Sequence, residues 1–110
     1  MALSQSSTSP FLRLDAAALH DALAAHSVIL VDVREPKEFE AARIAGAVNL
    51  PLSCFDPATL PAGDIVLVCA AGIRSLRAAA LCAEAGMPVR GHLEGGLNAW
   101  VGAGLPLSSG

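Results

Sequence analysis

Several features that would assign this chain to a broad class are missing. No apolar run approaches the ~18 residues of a membrane span, although 54% of the chain is apolar, much of it alanine. The opening MALSQSSTSP lacks the charged start and apolar middle of a signal peptide. Residues 1–10 are expected to form a flexible tail and the chain to stay in the cytoplasm, with no membrane partner. A clustered basic face is absent too. The seven Lys and Arg residues are scattered and the net charge is -3, which argues against nucleic-acid binding. Cys54, Cys69 and Cys82 contain no C-x-x-C pair, and an odd count without an export signal argues against a disulfide framework. His20, His26 and His92 show no ligand spacing with those cysteines, so no metal site is expected. Repeats and low-complexity tracts are lacking as well.

What is present fits one α/β domain. A chain of 110 residues buries about 60–70% of its unfolded surface, enough for one core; the domain is expected over residues 11–107, with 108–110 as a tail. VILVDV (Val28 to Val33) and IVLVC (Ile65 to Cys69) are short continuous aliphatic runs, the pattern of parallel strands covered on both faces. AVNL (Ala47 to Leu50), PVRGHL (Pro88 to Leu93) and FLRL (Phe11 to Leu14) are weaker strand candidates. Helical segments alternate with them. Asp15 caps a helix to about Ala24, with Leu14 and Leu19 as a hydrophobic staple. Pro36 and Glu38 suit the first turn of a second helix. SLRAAALCAEAG runs from Ser75 to a Gly86 stop, and LNAWVGAG follows Gly95 and Gly96. PLSCFDPATLPAGD reads as loop with one turn. Such alternation predicts a three-layer αβα sandwich around a mostly parallel sheet.

The stretch CAAGIRS, Cys69 to Ser75, carries the chemistry. In open α/β sheets ligands bind beyond the carboxyl ends of the strands, and Cys69 ends one buried strand while Asp32 ends another. Asp32 is therefore a candidate rim residue. Ala70, Ala71 and Gly72 have little side chain, so their amides can curl around one point and feed a helix N-terminus, an arrangement that binds an anion. Arg74 adds a permanent cation. A cysteine so placed has its pKa lowered from about 8.5 into the range ~3.5–7.5 and stands as a thiolate at neutral pH. Most free cysteines are small buried hydrophobes instead. Cys82, inside an alanine-rich helix, fits that description, and Cys54 lies in a loop without an assignable partner.

Three separated motifs then establish a resemblance. VDVREPKEFEAARIAGAVNLPL, VLVCAAGIRSLRAAALCAEAG and HLEGGLNAWVGAGLPL, within Leu12 to Leu107, are similar to the single-domain rhodaneses, which are sulfurtransferases. The resemblance implies a five-stranded parallel sheet flanked by helices, a persulfide on Cys69, and a cradling loop of Ala70, Ala71, Gly72, Ile73 and Arg74, with Ser75 behind it. It implies sulfane-sulfur transfer from thiosulfate or a persulfide to cyanide or a thiol, with no metal or organic cofactor. The small exposed rim suits delivery to a sulfur-relay protein.

It also implies that VDVRE is structural, with Asp32 near the site and Arg34 in ion pairs. Glu94, Gly95 and Gly96 shape a turn near the site, and Trp100 belongs to the core. His92 comes close to the rim, where a thiolate mechanism needs no general base; His20 and His26 read as surface residues. Arg43 stands where the family usually has histidine, so altered local pairing is expected. Ala70, Ala71 and Ile73 are uncharged, and a more basic loop would suit thiosulfate better. A non-catalytic binding or regulatory module is the alternative, although inactive relatives lack the cysteine. Cysteine phosphatases place five residues between cysteine and arginine, whereas four intervene here, a ring better matched to one sulfur than to phosphate.

Overall fold

The structure is a computed structural model that describes residues 10–109. The expected N-terminal tail, apart from Pro10, lies outside the described residues. Among the described residues five strands and four α-helices follow in the order β1 (Leu12–Leu14), α1 (Ala16–Ala24), β2 (Ile29–Asp32), α2 (Pro36–Ala41), β3 (Val48–Asn49), β4 (Ile65–Val68), α3 (Ile73–Glu84), β5 (Gly91–Leu93) and α4 (Gly96–Gly102). All neighbouring strands in the sheet are parallel, in the order β1-β5-β4-β2-β3. Two short 3-10 turns, Leu52–Cys54 and Pro57–Thr59, occupy the segment read as loop with one turn.

Period-two alternation sorts the strand side chains onto two faces. Leu30, Val66, Val68 and Leu93 pack with Ala16 and Leu19 of α1 and with Leu97 and Trp100 of α4. Val31, Val33, Ile65, Leu67 and Cys69 pack with Ala78 and Cys82 of α3 on the other face. The sheet is thus the middle layer of an αβα sandwich. Each fully buried aliphatic side chain contributes about 1.5–3 kcal/mol of burial, so β2 and β4, apolar on both faces, carry most of the core. Asp15 caps α1 as expected, its Oδ1 accepting the Ala18 N–H at 2.8 Å.

Two features depart from the sequence reading. Helix α3 starts at Ile73 rather than Ser75, so Arg74 and Ser75 belong to its first turn. Ser108 is paired rather than part of a free tail: its N–H donates to Arg43 O at 2.7 Å and its carbonyl accepts the Arg43 N–H at 2.8 Å. Trp100 Nε1–H reinforces this closure by donating to Pro106 O at 2.8 Å. Arg43 pairs locally, donating to the carbonyls of Phe39 and Glu40 and lying over the Phe39 ring at 5.2 Å.

The strand order sets where a site forms. From β2 the chain moves outward to β3, whereas from β4 it moves to β5 on the other side. The carboxyl ends of the adjacent strands β2 and β4 therefore flank a topological switch point, the usual place for a ligand in such sheets. Cys69 is the first residue after β4.

Candidate active site

Beyond Cys69 the backbone turns sharply. Gly72 has φ +96, in the left-handed region that side chains disfavour, and a Cβ there would stand 3.1 Å from Gly95 N. This turn brings the first turn of α3 back over the cysteine. Gly72 precedes the helix but has no side chain to cap it, and the cysteine sulfur takes that place. Cys69 Sγ accepts the N–H of Gly72 at 3.1 Å and the N–H of Ser75 at 3.3 Å. Ser75 Oγ stands 3.6 Å from the same sulfur. Two amides unpaired at a helix start thus converge on one atom, where the helix dipole favours negative charge.

A second set of amides holds the loop from behind. Leu97 N–H donates to Cys69 O at 2.9 Å and Asn98 N–H to Ala70 O at 3.0 Å, both from the first turn of α4. Close approach of the two segments requires glycine. Gly96 has φ +60, and a Cβ there would overlap the Cys69 and Ala70 carbonyls. The turn expected from Glu94, Gly95 and Gly96 is therefore the floor of the loop.

The electrostatics favour ionisation. Burial pushes the Cys69 thiol up, but the Ser75 hydroxyl and the N–H groups of Ser75, Gly72 and Ala71 outweigh it, so the net shift is downward. These are hydrogen bonds to the charged form, which stabilise the thiolate. Cys82, buried without such donors, is pushed up instead.

Arg74 departs from the sequence reading. Its guanidinium forms a two-pronged ion pair with Glu38 of α2, at 2.7 and 3.0 Å. Glu38 Oε1 also accepts the Glu35 N–H at 3.0 Å, and the pair holds the Glu38 carboxyl down to about 2. The cation therefore ties α2 to α3 as well as lying beside the loop. Ala71 and Ile73 are exposed and Ala70 half-buried, so the outer face of the loop is uncharged apart from this ion pair.

Asp32 is not at the rim. It is fully buried and grips Arg34, accepting from Nε at 3.0 Å and from Nη2 at 2.8 Å. Arg34 Nη2 also donates to Ala42 O at 2.6 Å, and Asn49 Nδ2 donates to the carbonyls of Asp32 and Arg34. This network fastens the exit of β2 to α2 and β3. The carboxylate is thus committed to Arg34.

The sequence reading put His92 close to the rim and gave it no role. His92 of β5 is buried under the loop, and its Nδ1 stands 2.8 Å from Ser75 Oγ. Its partner is not marked in the local pattern, because only the pairing of β5 beside β4 carries that histidine under Ser75.

Residues 15–103 match the family model for the Rhodanese-like domain. The chain belongs to the rhodanese-like domain family. A sulfurtransferase of Allochromatium vinosum is 34% identical, with 86% of this chain and 92% of that protein covered. An uncharacterised protein of Synechocystis sp. is 48% identical over 73% of this chain, which spans only 46% of that relative's length. Among solved structures, a rhodanese-related protein from Thermoplasma volcanium superposes with a TM-score of 0.78 at 28% identity, covering 89% of this chain and 98% of that one. The rhodanese-like fold and the sulfurtransferase family are thereby identified. No helix among the described residues is long and apolar enough to cross a membrane.

Proposed function

We propose that this rhodanese-like protein is a sulfurtransferase that carries sulfane sulfur as a persulfide on Cys69. The observation that supports this most is the convergence of the Gly72 and Ser75 amides on one sulfur atom at a helix N-terminus. The Cys69 thiolate attacks the outer sulfur of a donor. With thiosulfate, a new S–S bond forms as the bond to the sulfonate sulfur breaks, and sulfite leaves with the electron pair. The terminal sulfur of the resulting Cys–S–S⁻ is again an anion suited to the amide cradle. A thiolate or cyanide then attacks that sulfur, the S–S bond breaks and the Cys69 thiolate returns. Two half-reactions through a covalent intermediate give ping-pong kinetics.

The loop composition favours persulfide donors over thiosulfate. Thiosulfate is a dianion, and the loop's cation, Arg74, is already paired with Glu38. Low-molecular-weight persulfides or a sulfur-relay protein are therefore the better donors, and a thiol is the better acceptor. Four residues between Cys69 and Arg74 leave a ring suited to sulfur rather than to phosphate.

Mass spectrometry after incubation with thiosulfate, and separately with a low-molecular-weight persulfide, tests the reading. The native protein gains one sulfur, more readily from the persulfide, and Cys69→Ala gains none. Absence of an adduct from both donors would refute the proposal and favour a non-catalytic module.

A further inference from the structure

Ser75 has a single hydroxyl proton and three polar neighbours: Cys69 Sγ at 3.6 Å, Gly72 O at 3.2 Å and His92 Nδ1 at 2.8 Å. Where that proton points depends on the imidazole. With the imidazole proton on Nε2, Ser75 would donate to Nδ1 and present only lone pairs to the sulfur, which favours a neutral thiol. Nε2 is buried and has no hydrogen-bond partner among the described residues, so this tautomer would also orphan a buried N–H. With the proton on Nδ1, that N–H donates to Ser75 Oγ and frees the hydroxyl, which donates to Gly72 O at 3.2 Å beside a neutral thiol and turns to the sulfur once that is a thiolate, the stronger, charged acceptor. Only an acceptor is then left unpaired at Nε2, which proteins tolerate more readily than an orphaned N–H.

We infer that His92 is a positioning residue that, as its Nδ1–H tautomer, turns the Ser75 hydroxyl toward Cys69 and so holds the sulfur as an anion. Phe11 stacks on the imidazole, with ring centroids 5.5 Å apart, and fixes its plane. Burial pushes the His92 pKa down and Arg13 on the adjacent β1 adds to this, with Glu94 opposing, so the ring is neutral at neutral pH. On the Cys69 side, the charged neighbours are Arg74 and its partner Glu38, which the variants below leave in place.

The inference rests on Cys69 acting as a thiolate, but its test needs no sulfur donor, so it can fail independently of sulfur transfer. Alkylation rate against pH is followed at the Cys69 peptide by mass spectrometry. In Ser75→Ala and in His92→Leu the midpoint is expected to rise by about one pH unit, a tenfold loss of thiolate below both midpoints. The double variant rises no further. His92→Asn restores the native midpoint, because its amide nitrogen can stand where Nδ1 does. An unchanged midpoint in His92→Leu, or additive effects in the double variant, would overturn the inference. Imidazole ¹⁵N shifts of the unmodified protein decide the matter even if His92→Leu does not fold. A protonated, pyrrole-type nitrogen at Nδ1 is expected, and one at Nε2 refutes the relay.

Discussion

Replacing Gly96 by alanine tests the idea that the cysteine loop is held from behind by α4. Three effects combine. The residue has φ +60, a conformation that costs an L side chain roughly 1–2 kcal/mol. The added Cβ would overlap the carbonyls of Cys69 and Ala70, both backbone atoms that cannot rotate aside, and such overpacking costs about 1–3 kcal/mol. Relief requires the loop and α4 to separate, which strains the Leu97 N–H to Cys69 O and Asn98 N–H to Ala70 O bonds, each worth about 1 kcal/mol. The expected loss is therefore about 4–7 kcal/mol, a large part of a typical domain's stability. Urea unfolding followed by the fluorescence of Trp100, which is buried in α4 itself, measures it. Gly102→Ala is the control. It lies in the same helix, where an added Cβ would meet nothing within 4 Å, and alanine there should stabilise by about 0.5–1 kcal/mol. The alkylation midpoint of Cys69 should also rise in Gly96→Ala, because the Gly72 and Ser75 amides move off the sulfur. A loss under about 1 kcal/mol, no more than an ordinary substitution costs, with an unchanged midpoint, would refute the reasoning.

Asp32→Asn should cost about 3–5 kcal/mol in urea unfolding, because it leaves the Arg34 guanidinium buried without its counter-charge; a loss near zero would restore Asp32 to a functional role. Glu38→Gln should lower stability by only about 0.5–1 kcal/mol at neutral pH, because its pair with Arg74 is partly exposed. Since the Glu38 carboxyl is held down to about 2 in the fold against 4.5 as its ordinary value, the gap between native protein and variant should be full above 4.5, narrow as pH falls and vanish near 2. Urea midpoints across that range check the sign. Cys82→Ser places a hydroxyl in a fully buried apolar site and should cost about 1–3 kcal/mol, while Cys54→Ser, at an exposed position, should stay within about 0.5 kcal/mol.

The fold was largely legible because its signals are local. Continuous aliphatic runs at β2 and β4, the Asp15 cap and the glycines after β5 each mark an element or its end without reference to distant residues. The site was legible only in part. Cys69 stood out because a buried run, small residues and a helix start coincide within a few positions. The start of α3 was misplaced because Gly72, not a polar residue, precedes it and the cap is a sulfur atom three residues back. The partners of Arg74 and Ser75 were harder still. Glu38 lies 36 positions before Arg74, and His92 lies 17 after Ser75.

By itself, then, the sequence determined the alternation of strands and helices, the two-faced burial of the central strands and the place of the cysteine at a strand end. These follow from side-chain size, polarity and backbone freedom, which act over a few residues. Tertiary structure decided what surrounds that cysteine. The parallel order β1-β5-β4-β2-β3 sets β5 beside β4, which brings His92 under Ser75 and the α4 amides under the loop. Packing α2 against the first turn of α3 engages Arg74 with Glu38, and enclosure of the β2 exit turns Asp32 inward to Arg34. Charge partners are chosen by proximity in space, and a chain's local pattern does not encode which distant residue will be nearest.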